Sequence, residues 1–175
     1  ARLAKRGRVY SFEPSAYSRS ILNFAIKVNG FENIDVIPQG LGDAPGTMTL
    51  STPIKSYGTF KYGLAHLGER AINEAGHQEE VALTTIDDFA TEAGLKRLDF
   101  IKMDVEGWEY RILLGGTKTI QRYRPIMMIE LVGQQLSRAG DSLEEAWALL
   151  QSWGYHQEVF IDAQTLSPSE TPLEG

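Results

Sequence analysis

"LDFIKMDVEGWEYRILLGG", residues 98–116, joins two kinds of sequence at an acid. Phe100–Met103 reads as a buried strand, and a helix follows from about Trp108 to Leu114. Between them Asp104, Glu106 and Glu109 fall within six residues, and Gly107 permits a tight turn and the close approach of a ligand. A strand that ends in a carboxylate and turns into a helix is the repeating unit of an open α/β sheet. Such sheets bind ligands beyond the carboxyl ends of their strands, so polar residues directly after apolar strands are the ones to find.

The rest of the chain repeats that unit. Val9–Phe12 is short and β-prone and ends in Glu13. Pro14 and Ser15 then open a helix with Tyr17, Ile21, Phe24, Ala25 and Val28 on one face, stopped at Gly30. Ile34–Pro38 and Met48–Ser51 read as further strands. Residues 52–80 read as a long loop with a helical turn near Glu69–Glu74, and Val81–Thr84 as a brief strand. Thr85 with Asp88, and Ser142 with Glu145, have capping-box spacing; the second pair precedes the stripe Leu143, Ala146, Trp147, Leu150 and Trp153. Thr117–Tyr123 is a short helix, "PIMMIEL" (125–131) the most apolar strand, and Tyr155–Ile161 a last strand. The expectation is an α/β fold, a doubly wound and mostly parallel sheet over residues 1–166. A flexible tail follows, 167–175, too poor in apolar residues to pack.

A length of 175 residues suits one domain, and a net charge of −6 argues against a broad nucleic-acid surface. With no cysteine, disulfides, zinc–thiolate sites and thiol nucleophiles are excluded. No apolar run approaches the roughly 18 residues of a spanning helix, and no signal-peptide pattern opens the chain. The expectation is a cytoplasmic protein that does not contact membranes.

Three strands end in acids: Glu13, Asp104 and Glu130. A carboxylate there accepts hydrogen bonds from both hydroxyls of a ribose. An acid near a helix start is also favoured by the macrodipole, which accounts for Glu106 and Glu109 better than for Asp104. "GGTKT" (115–119) follows a helix rather than a strand, so it reads as a helix end and not a phosphate loop. His66, His77 and His156 lack metal-ligand spacing and read as surface residues.

Five stretches stand in the order and at the spacing of FkbM-type methyltransferases. They are "VYSFEPS" (9–15), "NGFENIDVIPQGLGDAPGTMTL" (29–50), "TTIDDFA" (84–90), the opening stretch, and "RPIMMIEL" (124–131). From Val9 to Leu131 the chain resembles that family, S-adenosylmethionine-dependent enzymes of the Rossmann-like class. The resemblance implies that Glu13, with Pro14 beside it, holds the ribose hydroxyls of the cofactor. It implies that Gly42 and Asp43 lie beside the adenine, that Asp104 lines the pocket near the transferred methyl group, and that Glu130 faces the acceptor. It also implies that residues 52–80 select the substrate. Family members begin with a strand ending in a glycine-rich turn of the "DVGANIG" kind. These residues contain none, and "ARLAKRG" (1–7) resembles the end of the helix that follows it. The expectation is an N-terminally truncated domain that binds the cofactor weakly or not at all.

Methyl transfer from a sulfonium to a hydroxyl needs alignment, exclusion of water and removal of a proton. Asp104 and Glu130 end strands expected to be neighbours, and with Glu106 they are the candidate catalytic residues. They would serve as general base or as ligands of a magnesium ion (Mg2+) that acidifies the hydroxyl. The expected acceptor is a hydroxyl of a small molecule or sugar. Two other readings stay open. One is a non-catalytic Rossmann-like module. The other is a nicotinamide-dependent oxidoreductase, in which Glu13 would hold the NAD ribose but G-x-G-x-x-G is missing.

Overall fold

The computed structural model describes residues 4, 6–53, 66–67, 76–156, 160–161 and 168–169. In chain order the elements begin with β1 (Val9–Phe12), α1 (Ala16–Val28), β2 (Ile34–Ile37), β3 (Gly40–Leu41), β4 (Gly46–Pro53), β5 (His66–Leu67) and β6 (Gly76–Thr84). There follow α2 (Ile86–Glu92), β7 (Phe100–Met103), α3 (Glu109–Gly115), α4 (Thr117–Tyr123) and β8 (Ile126–Ile129). The last are α5 (Gly133–Ala139), α6 (Leu143–Ser152), β9 (Phe160–Ile161) and β10 (Pro168–Ser169).

Strand–helix alternation gives parallel pairing where a helix makes the crossover. β1 and β2 run parallel with α1 between them in sequence, and β7 and β8 run parallel across α3 and α4. β3 is parallel to β6. The intervening segment departs from the expected pattern. β4 and β6 form an antiparallel ladder from Gly46 opposite Leu83 to Pro53 opposite Gly76, with β5 on the other edge of β4. The brief strands expected at 48–51 and 81–84 are stretches of this longer hairpin, in which residues 76–80, expected as part of a loop, pair with 49–53. Its outer part carries His77, Gln78, Glu79 and Glu80, polar residues that a search for apolar runs passes over. The helical turn expected near Glu69–Glu74 lies outside the described residues.

Helix ends follow their side-chain chemistry. The Thr85 hydroxyl accepts from the Asp88 N–H at 2.9 Å, and Ser142 and Glu145 cap each other's backbone at 3.2 and 3.0 Å. "GGTKT" spans the junction of α3 and α4, with Gly116 ending the first, as expected of a helix end. α5 was not anticipated: its sequence, GQQLSRA, offers one buried apolar residue, Leu136, and no capping side chain. Of the last strand expected at Tyr155–Ile161, Tyr155 and His156 lie outside any strand, while Phe160–Ile161 pairs antiparallel with Pro168–Ser169. The remainder of the 167–175 tail lies outside the described residues.

The core gathers Ile86, Met103, Ile112, Leu113, Ile120, Leu150 and Trp153, so α2, α3, α4 and α6 converge on one face of the β7–β8 pair. Ile101, Met127 and Ile129 line that face. The opposite face is open, since Phe100, Ile126 and Met128 are 54%, 72% and 47% exposed. The α1 stripe, read as a packing face, is likewise open; Phe24 and Val28 are 68% and 67% exposed and no α1 residue is fully buried. Periodicity identifies residues that share a face, and coverage depends on what lies opposite. Arg124 fastens the entry to β8: its guanidinium donates to the carbonyls of Trp153 and Gly154 at the end of α6 and lies 4.2 Å over the Tyr155 ring. No helix among the described residues is long and apolar enough to cross a membrane.

Candidate active site

Asp104 and Glu130 meet because β7 and β8 run in register. Met103 stands opposite Ile129, and the Glu130 N–H donates to the Met103 carbonyl at 3.0 Å, so the two acids leave the ladder side by side. Their carboxyl groups are close enough to shift one another's titration. Lys102, two residues back on the same face of the strand, places Nζ 2.8 Å from Asp104 Oδ2. The Lys102 bond above all, with the Glu130 bond assisting against partial burial, holds Asp104 below the ordinary aspartate range. Glu130 is pushed up, first by its hydrogen bond to Asp104, then by burial and the negative charges of Asp104, Glu106 and Glu109. Adjacent carboxyls resist double ionisation, so of the two Glu130 binds a proton the more strongly and Asp104 ionises first.

The turn after Asp104 is unusual in backbone terms. Glu106 (φ 57°) and Gly107 (φ 104°) are both left-handed, a region open to glycine and costly for a residue with a Cβ. A Cβ at Gly107 would also lie 2.4 Å from the Gln135 carbonyl oxygen. Gln135 of α5 holds Glu106 in turn, donating from Nε2 to its carboxylate at 2.7 Å. Glu109 begins α3, as expected of a helix-start acid, and it is 0% exposed. Its Oε1 accepts from the N–H groups of Val105 at 3.1 Å and Gly107 at 3.3 Å. Burial pushes its carboxyl up against the opposing effect of those bonds.

The end of β3 reaches the same neighbourhood. Gly42 donates its N–H to Thr84 at 2.9 Å, and the Trp108 indole nitrogen lies 3.6 Å from where a Gly42 Cβ would stand. Asp43 accepts from Arg111 Nη1 at 3.3 Å, while Arg111 Nε reaches the buried Asp141 at 2.8 Å. Gly42 and Asp43 are thus brought against Trp108 and α3.

Glu13 and Pro14 form a second cluster, at the end of β1. The half-buried Glu13 carboxylate accepts from the Ser15 N–H at 3.0 Å, and Arg19 donates to the carbonyls of Glu13 and Pro14 at 3.0 and 2.8 Å. Burial pushes the Glu13 carboxyl up; the Ser15 bond and Arg19 oppose this, and the charge of Glu79 adds to it. Glu79 itself accepts the Ala16 N–H at 3.0 Å, capping α1 from β6. Among the described residues, no hydrogen bond or ion pair joins Glu13 to the Asp104–Glu130 pair.

Each cluster contains a buried polar atom without a partner, Ser15 Oγ beside Glu13 and Trp108 Nε1 beside Gly42. Buried polar groups are normally hydrogen-bonded, so both offer capacity to a polar ligand. Among the described residues, no group of three or more His, Asp or Glu could hold a metal ion. His77 and His156 are exposed. Lys102, Trp108, Glu109 and Gln135 were not among the expected site residues. Lys102 had a local signal, a charge inside an apolar strand two residues before its acid, and Glu109 had one as the third acid within six residues.

Residues 1–156 match the family model of the methyltransferase FkbM domain. No curated protein matches the chain. Among solved structures, the fold is similar to methyltransferase FkbM from Methylobacillus flagellatus KT, with a TM-score of 0.50 and 20% sequence identity. The likeness covers 82% of this chain and 30% of that one, so the chain spans under a third of that protein's length. The parallel strand–helix–strand pairs and that likeness together are those of a Rossmann-like α/β fold. With nine-tenths of its residues inside the match, the chain belongs to the FkbM methyltransferase family.

Proposed function

We propose that this domain transfers a methyl group from S-adenosylmethionine to a hydroxyl of a small molecule or sugar. The observation that carries the reading is that Asp104 and Glu130 leave neighbouring strand ends side by side, with Lys102 bonded to Asp104. Glu13 and Pro14 would hold the ribose, and Gly42 and Asp43 the adenine, with Asp104 lining the pocket. The unpartnered Ser15 Oγ and Trp108 Nε1 support the fit of a polar nucleoside. The cofactor, when bound, supplies an electrophilic methyl carbon.

The chain's own contribution is proton handling and orientation. Glu130, with its raised affinity for a proton, is the stronger base of the pair and accepts the proton of the acceptor hydroxyl. Asp104, held by Lys102, stands beside Glu130 and raises its affinity for a proton, and Glu106, held by Gln135, adds negative charge beside it. Glu130 acts only when ionised, so the rate rises with pH through its raised titration.

Methyl transfer from labelled S-adenosylmethionine to a panel of hydroxylated small molecules and sugars tests the reading. The expected result is labelled product whose rate has an acidic limb, with Glu130→Gln slowing transfer by about 100-fold and removing that limb. Absence of product from every acceptor, or an unchanged rate in Glu130→Gln, overturns it.

A further inference from the structure

We infer that Glu109 is a positioning residue, whose buried carboxyl locks the 104–108 turn in the shape that sets Asp104 and Glu106 beside Glu130. That it serves methyl transfer rests on the function proposed above; that it locks the turn stands on the geometry alone. Two successive left-handed residues, Glu106 and Gly107, form a conformation that persists only where surrounding contacts over-determine it. The contacts come from two sides. From α5, Gln135 bonds the Glu106 carboxylate and its backbone packs against Gly107. From α3, Glu109 Oε1 takes the N–H groups of Val105 and Gly107, the residues on either side of Glu106.

One oxygen gathering two N–H groups from alternate residues requires an acceptor at the full reach of a glutamate. The other oxygen, Oε2, is buried with no partner. Glutamine preserves the gathering oxygen and sets its amide where Oε2 lies, so it retains the lock. Aspartate is one methylene short, and alanine leaves both N–H groups bare.

Residue-resolved amide hydrogen exchange on the whole chain separates these cases, because the Val105 and Gly107 amides report the lock whether or not the protein turns over. Glu109→Ala is expected to lose at least about tenfold protection at both amides, with Glu109→Gln restoring it. The β4–β6 ladder keeps its protection throughout. Should Glu109→Ala fail to fold, Glu109→Asp carries the test, with the same local loss expected. Unchanged protection at Val105 and Gly107 in the alanine or aspartate variant overturns the inference, as does a loss in Glu109→Gln as large as in Glu109→Ala. If the wild-type chain transfers methyl groups, kcat is expected to fall at least tenfold in Glu109→Ala and to be rescued by glutamine. A fall that glutamine does not rescue overturns the positioning role. A wild-type chain without activity sinks the proposed function and leaves the exchange result to decide the lock.

Discussion

Glu13 shows how one side chain couples the candidate site to pH. Burial raises its proton affinity above that of the unfolded chain, so folding favours the protonated form. Its stabilising contribution is full below the ordinary glutamate range and is lost as pH rises through the raised value. Glu13→Gln should therefore lose less stability than wild type between mildly acidic and neutral pH, measured by urea unfolding across that range. An equal or steeper decline contradicts the assignment. Gly115 exemplifies a different constraint. A Cβ there would stand 2.0 Å from the Gly42 carbonyl oxygen, backbone against backbone. Gly115→Ala is expected to cost about 1–3 kcal/mol in urea unfolding, since neither partner is a side chain that can swing aside. Asp104 and Glu130 were legible as candidates because the strand-end rule names positions without knowing neighbours. Glu109 was not legible as a buried lock, because an acid beginning a helix already has an ordinary explanation. Gln135 was hidden for another reason: its partner Glu106 is 29 residues away in sequence.

Among the elements, α1 is the clearest case of a pattern that names a face without saying what covers it. Tyr17, Ile21, Phe24 and Val28 follow helical spacing and lie exposed. Phe24→Glu should shift unfolding free energy by no more than about 0.5 kcal/mol, as surface positions do. Leu113→Ala, at a site with no exposure, should cost about 2–5 kcal/mol. Comparable losses from the two substitutions would place α1 in the core after all. The β4–β6 hairpin was half legible. Leu50, Val81 and Leu83 announced its buried positions, while its polar outer half offered no alternation to read. β7 and β8 were legible as strands, yet their apolar composition suggested two covered faces where one is open.

For the whole molecule, the alternation of strands and helices was enough to anticipate parallel pairs and an α/β fold. Sequence spacing did not reveal how remote segments are tied together. Arg111 supplies such a tie, bonding Asp141 30 residues onward and Asp43 68 residues back. Closing loops of that length costs chain entropy before any contact is gained, so these bonds belong late in the folding reaction. Arg111→Lys, which loses the fork that reaches both acids at once, should leave the refolding rate nearly unchanged and quicken unfolding. In a stopped-flow chevron the unfolding limb should rise while the refolding limb stays put. The guanidinium thus acts as a latch on the finished protein, setting how long the native state lasts and not how quickly it is reached.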